Sequence, residues 1–83
     1  MGFYLVERYV PAMDVRNIAT AAARLDRADA AMARHLWTLL IVGEDTCLSV
    51  FEAPGPDAVA ACNAAAGFPL DRIVEAVVIG TPR

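Results

Sequence analysis

Apolar and polar positions alternate along this chain in segments whose period changes from two to nearly four and back. Phe3 to Val10 is rich in aromatic and β-branched residues and is stopped by Pro11, which predicts a strand. Asp14 then stands where an N-cap belongs, its carboxylate able to accept from the free amides of a first helical turn. Val15, Ile18, Ala22, Leu25 and Met32 recur at helical spacing and predict an amphipathic helix from about Val15 to Arg34. Its solvated face collects Arg16, Thr20, Arg24, Arg27 and Arg34, with Asp26 and Asp29 off that line. Leu36 to Val42 and Cys47 to Ala53 read as a hairpin turning over Gly43-Glu44-Asp45-Thr46. Pro54-Gly55-Pro56-Asp57 ends the third strand and starts a second helix, because a proline's missing N–H costs nothing in a first turn. Val59, Cys62 and Ala66 form that helix's inward line, Gly67 takes the left-handed cap position, and Pro69 prevents a restart. Arg72 to Ile79 predicts a fourth strand, and residues 80–83 a tail.

The order strand-helix-strand-strand-helix-strand predicts an α+β fold of ferredoxin-like type, a four-stranded antiparallel sheet with two helices on one face. In this reading the first and third strands lie side by side and run parallel, which draws Glu7 and Glu52 together. The other face has no helix. Trp37, Leu39 and Ile41 point one way and Leu36, Leu40 and Val42 the other, whereas a sheet with one wet face alternates apolar with polar residues. So large a bare apolar face predicts a homodimer joined through the helix-free side of the sheet, in the manner of dimeric α+β barrels.

Composition strengthens that expectation. The 83 residues make one domain, 1–83, whose core is small relative to its surface, yet 58% of them are hydrophobic. No apolar run reaches the ~20 residues of a membrane span. The first eight residues alternate like a strand and lack a basic leader, so a cytoplasmic location with no membrane partner is expected. The net charge is −3, lysine is absent and the seven arginines are scattered, which argues against non-specific nucleic-acid binding. Cys47 and Cys62 lack the spacing of a metal or redox pair and read as buried free thiols.

Charged residues inside strands are the exceptions that point to chemistry, since an unpaired charge in a sheet interior costs several kcal/mol, roughly. Glu7, Arg8, Glu52 and Glu75 are the set, and with Trp37 they are the candidates to line a small-molecule pocket between the sheet and its partner. Burial there would raise a carboxyl toward general acid or base duty; the competing reading pairs each carboxylate with an arginine at the sheet rim. Glu52 is expected opposite Trp37. His35, the one histidine, falls at the junction of the first helix and second strand, where the helix's last carbonyls are its expected partners. His35 and Cys47 are the weak metal candidates, and the hairpin register keeps them apart within one chain. The sequence shows no nucleophile-histidine-acid set, phosphate-cradling glycine loop or metal-spaced pair, so no catalytic residue is assigned and a binding role is favoured over an enzymatic one.

Cys47-Leu48-Ser49-Val50-Phe51-Glu52-Ala53-Pro54, then Ala58-Val59, Asn63, Ala66-Gly67-Phe68-Pro69 and Asp71-Arg72-Ile73-Val74-Glu75, form a run that resembles the DUF4242 family, small actinobacterial domains often named nickel-binding proteins. Tyr4 to Tyr9 fits as well, so the resemblance covers nearly the whole chain. It implies a dimeric ferredoxin-like fold; no cofactor is assigned from the residues, and nickel is the alternative that the resemblance brings in. The members credited with nickel binding are richer in histidine: Phe68 stands where such a relative can carry one, as do Arg8 and Tyr9. A nickel site here would have to be built from His35, Glu7, Glu52 or Cys47 across a dimer. Three readings follow: a ligand-binding or regulatory homodimer, a protein binding nickel or another transition metal, and a small dimeric α+β barrel enzyme. The last, an isomerase or cofactor-free oxygenase with Glu7 or Glu52 as base, rests on fold analogy.

Overall fold

The computed structural model describes residues 1–28 and 32–80. The elements run β1 (Gly2–Tyr9), α1 (Val15–Arg27), β2 (Arg34–Ile41), β3 (Thr46–Ala53), α2 (Pro56–Ala66) and β4 (Arg72–Ala76). They form one antiparallel sheet in the order β2-β3-β1-β4, the α+β ferredoxin-like arrangement. Both helices lie on one face. Tyr4, Val6, Val10, Cys47, Phe51 and Ala53 from the sheet meet Ile18, Ala21, Leu25, Val59, Cys62, Ala66 and Phe68 in a single buried cluster.

Local chemistry explains most boundaries. The Asp14 carboxylate accepts from the Asn17 amide at 2.8 Å and opens α1. At the end of α2, Gly67 adopts φ +66°, so the Gly67 and Phe68 amides reach back to the carbonyls of Ala64 and Asn63, each at 3.0 Å. That left-handed step turns Phe68 inward, where it is 3% exposed.

Five expectations change. The fourth strand, expected from Arg72 to Ile79, ends at Ala76. The helix expected to reach Arg34 ends at Arg27, with residues 29–31 (and so Asp29) outside the described part; Met32 has φ +63°, which no helix continues, and Arg34 is already paired with Glu52 in the sheet. Its inward line uses Ala21 in place of Ala22, and Val15 is 69% exposed. β1 and β3 run antiparallel, because β2 runs in the same direction as β1 and the hairpin reverses β3 against both. A register shift between His35 and Trp37 moves Trp37 opposite Val50 and leaves Arg34 opposite Glu52.

Candidate functional site

Residues directly opposite each other in a ladder project to the same face, so the pairings arrange the helix-free side in rows. One row is Ala76, Phe3, Glu52 and Arg34; the next is Val74, Leu5, Val50 and Trp37; a third is Arg72, Glu7, Leu48 and Leu39. The middle row is wholly apolar. The rows on either side each end in an ion pair, and the two pairs sit at diagonal corners. Arg34 Nη2 lies 3.6 Å from Glu52 Oε1 at the β2 edge, and Arg72 Nε donates to Glu7 at the β4 edge. Both pairs are partly solvated, so water screens their attraction and neither is a strong contributor to stability. Trp37 is 43% exposed and Leu39 51% in a single copy.

This layout separates Glu7 from Glu52. Phe3 is the residue opposite Glu52, and Glu7 lies four positions further along β1, about 13 Å away at strand rise. The hydrogen bond from Arg72, aided by its charge, holds the Glu7 carboxyl below its ordinary pKa, so Glu7 is a weaker base than a free glutamate. The same hydrogen bond, together with the charge of Glu7, raises the pKa of Arg72.

Arg8 and Glu75 lie on the opposite side of the sheet. Glu75, opposite Tyr4, is exposed on edge strand β4. Arg8 is 2% exposed, deep between sheet and α2. Its Nε donates to the Pro69 carbonyl at 3.0 Å, Nη1 to Ser49 Oγ at 2.7 Å, and Nη2 to Asn63 Oδ1. The Phe68 ring lies 3.7 Å below the guanidinium carbon, a contact worth about 2 kcal/mol when dry. Among the described residues no carboxylate forms an ion pair with Arg8. Burial pulls its pKa down, opposed by Cys47 and by the charge of Asp71, and an arginine remains protonated through such a shift.

From Arg8 a chain of hydrogen bonds crosses the molecule. Ser49 Oγ is 2.8 Å from Thr38 Oγ1, Thr38 Oγ1 is 2.7 Å from His35 Nε2, and His35 Nδ1 is 2.5 Å from Asp26 Oδ1. Arginine can only donate, so Ser49 accepts and passes its own proton to Thr38, Thr38 donates to His35, and His35 donates to the carboxylate. The sequence closes with His35 as the Nδ1–H tautomer. Asp26, His35 and Thr38 thus stand in the order acid, base, hydroxyl, a set that spacing did not reveal, but Thr38 Oγ1 is also tied to Ser49, so the trio is one stretch of a structural chain. His35 is therefore on β2 and bonded to side chains, not to the helix carbonyls expected for it.

The sequence reading missed Ser49, Thr38, Asn63 and Asp26 as members of this network. Two signals were available: Ser49 breaks the inward line Cys47-Phe51-Ala53, and Asn63 sits at an inward helical position beside Val59 and Ala66. Glu7 and Arg8 also line an open cleft of about 410 Å³ with Tyr9, Thr46 and Asp71, and Asp71 Oδ2 accepts from the Tyr9 amide at 2.6 Å. Trp37, Glu52 and Glu75 lie outside it.

These features define a ferredoxin-like domain with one face packed by helices and one left bare. Residues 4–76 match the family model described as "Nickel responsive protein SCO4226-like", and the chain belongs to that family. The DUF4242 label is not part of the match, though the nickel association it implied is the same. Among solved structures, the crystal structure of SCO4226 from Streptomyces coelicolor A3(2) superposes with a TM-score of 0.82 at 15% identity, covering 94% of this chain and 99% of that one. No curated protein matches the chain.

Nickel response can be tested against the residues present. Both ring nitrogens of His35 are engaged by Asp26 and Thr38. Cys47 is fully buried with the Arg8 guanidinium 4.0 Å from its sulfur, and Cys62 is buried with its thiol pKa pushed up by desolvation, to which Asp26 adds. Among the described residues no three of His, Cys, Asp and Glu converge on a point. Among the described residues, the donor set within one chain does not fit a nickel ion. No helix among the described residues is long and apolar enough to cross a membrane.

Proposed function

We propose that this member of the nickel-responsive family acts as a homodimer joined through its helix-free sheet face, holding a small, largely apolar organic molecule between the two sheets beside Trp37. One observation carries this reading: the apolar row Val74, Leu5, Val50 and Trp37, flanked by Phe3, Leu48 and Leu39, is open in a single copy and framed by ion pairs at diagonal corners. An isologous interface needs a self-complementary patch with an apolar centre and a polar rim, and this face has both. Glu7, Trp37 and Glu52 belong to the pocket in this reading; Arg8 and Glu75, behind the sheet, do not reach it. The role is binding or regulation, because both face carboxylates are paired with arginines.

Trp37 is the only tryptophan and reports directly. Its emission should be blue-shifted at high protein concentration and move to the red on dilution as the faces part. Emission that does not change with concentration, with a red, solvated maximum throughout, would contradict the dimer.

The family description favours a second reading, a transition-metal binder. Such a site would draw ligands from two copies, with Glu7 and Glu52 at the rim as its carboxylates. Nickel titration followed by the same emission separates the two: saturable quenching at one ion per dimer or fewer supports metal, and an unchanged spectrum supports the organic ligand.

A further inference from the structure

Where β1 leaves the sheet, the turn before α1 meets the loop that ends α2, and between them lies an open cup of about 280 Å³. Buried Val10 and Phe68 form its floor, and Pro11, Met13 and Pro69 stand around it. Several backbone groups of this lining are already bonded: the Val10 amide donates to the Asp45 carbonyl at 2.7 Å, the Met13 amide to the Val10 carbonyl at 3.2 Å, and the Pro69 carbonyl accepts from Arg8. The two prolines bring no N–H at all. The one charged residue that lines the cup is Arg24, in the last turn of α1. Its Nε donates at 2.8 Å to the Ala66 carbonyl, one of those that the end of α2 leaves without a helical amide. That bond holds the guanidinium between the two helices. Arg34 and Arg72 are paired with carboxylates, whereas no ion pair and no further hydrogen bond of Arg24 is found among the described residues, so its terminal N–H groups stay available.

We propose that this cup binds a small organic acid, its apolar body on Phe68 and Val10 and its carboxylate on the Arg24 guanidinium. A guanidinium and a carboxylate form charge-assisted hydrogen bonds that a neutral group does not reproduce, and apolar surroundings strengthen them. The volume falls just below the ~300–1,000 Å³ of organic-ligand pockets, which limits the body to a single ring or a short branched chain. Inorganic phosphate is a poorer occupant, because it gains nothing from an apolar floor. Pro11 and Pro69, with φ fixed by their rings, hold the walls in place before the ligand arrives. None of the residues in the open rows of the sheet lines this cup, so the site serves one copy or two and stands apart from the sheet-face contact.

Benzoate and its neutral counterpart benzamide are the probes, titrated into the full chain and followed by amide NMR spectra of wild type, Arg24→Gln and Leu39→Glu, the last designed to be monomeric. Benzoate should saturate one site and move the amides of Val10, Met13, Gly67 and Phe68 together with the Arg24 Nε–H. In wild type benzamide should bind at least about tenfold more weakly than benzoate, and Arg24→Gln should weaken benzoate by at least about the same factor. Leu39→Glu should bind benzoate as wild type does. Equal affinity for benzoate and benzamide, or for benzoate in wild type and Arg24→Gln, overturns the role of Arg24, and shifts that never saturate overturn the site. Shifts centred on Leu5, Val50 and Trp37 that vanish in Leu39→Glu would put the acid between the sheets, which overturns the cup and leaves the sheet-face reading standing.

Discussion

The two faces of this one sheet solve the problem of a small domain in opposite ways. On the helix side, the buried polar groups are bonded to one another: Arg8, Ser49, Asn63, Thr38 and His35 form a continuous chain ending at Asp26. Among the described residues no buried side-chain nitrogen or oxygen lacks a partner. On the open side, apolar groups are exposed and, among the described residues of the strands, the charges are paired at the corners. The first face is complete within one copy and specifies the fold; the second is left open in one copy, and the proposed dimer would cover it. A buried network of this kind is costly to break, whereas a bare apolar face loses its value only when its partner is denied.

Four substitutions sharpen the contrast, from largest to smallest effect. Arg8→Leu removes the donor shared by Ser49, Asn63 and the Pro69 carbonyl and strips the Phe68 ring of its cation. Leaving such acceptors unpaired costs about 3 kcal/mol or more, and the urea midpoint of the monomeric Leu39→Glu background should fall accordingly. Unchanged stability would mean that the network is ornamental. Leu39→Glu in the wild type places a charge among the exposed apolar residues of the open face, on edge strand β2, and should raise the dimer dissociation constant at least about a hundredfold, near 2.7 kcal/mol. Its effect on the stability of the single copy should stay within about 0.5 kcal/mol, as for other exposed sites; a large loss there would show that this face is part of the monomer's own core. Asp26→Asn keeps the shape but removes the charge that orients His35, and about 1 kcal/mol should be lost, with a shift in the His35 ring resonances as the readout.

The smallest effect concerns acid. Arg72 keeps the Glu7 carboxyl below its ordinary value of about 4.5 in the folded chain, and unfolding releases it. Between the two values the unfolded chain binds more protons, so stability rises with pH there. The contribution is complete above the ordinary value and is lost as pH falls through the lowered one. Glu7→Gln should flatten this acid limb in urea titrations on the monomeric background; an unaltered limb would assign it to other carboxylates.

The contrast between the faces also explains what the sequence made legible. Strand alternation, the Asp14 cap, the Gly67 cap and the Pro56 start are local signals, and each is realised where it stands. Of the apolar hairpin pattern, Trp37, Leu39 and Ile41 keep one side and Leu40 the other, whereas Leu36 falls at the register shift and Val42 lies past the end of β2. What depends on pairing was lost. The direction of β1 against β3 comes from the crossover and the hairpin together, and the register shift at Leu36 decides whether Glu52 faces Trp37 or Arg34. The alanine-rich stretch after Arg27 favours helix on propensity alone, yet the ladder claims Arg34 and His35 as strand. Arg8 was chosen as a pocket residue because it is charged, and burial behind the sheet gives it another role.

Native mass spectrometry of the untagged wild-type protein, with and without added nickel, tests the dimer and its occupant together. The expected spectrum is twice the chain mass, carrying a small organic mass or none, and unchanged in nickel stoichiometry beyond non-specific adducts. A monomer at every concentration would contradict the open face as an interface, and a dimer with whole-number nickel would assign that interface to the metal.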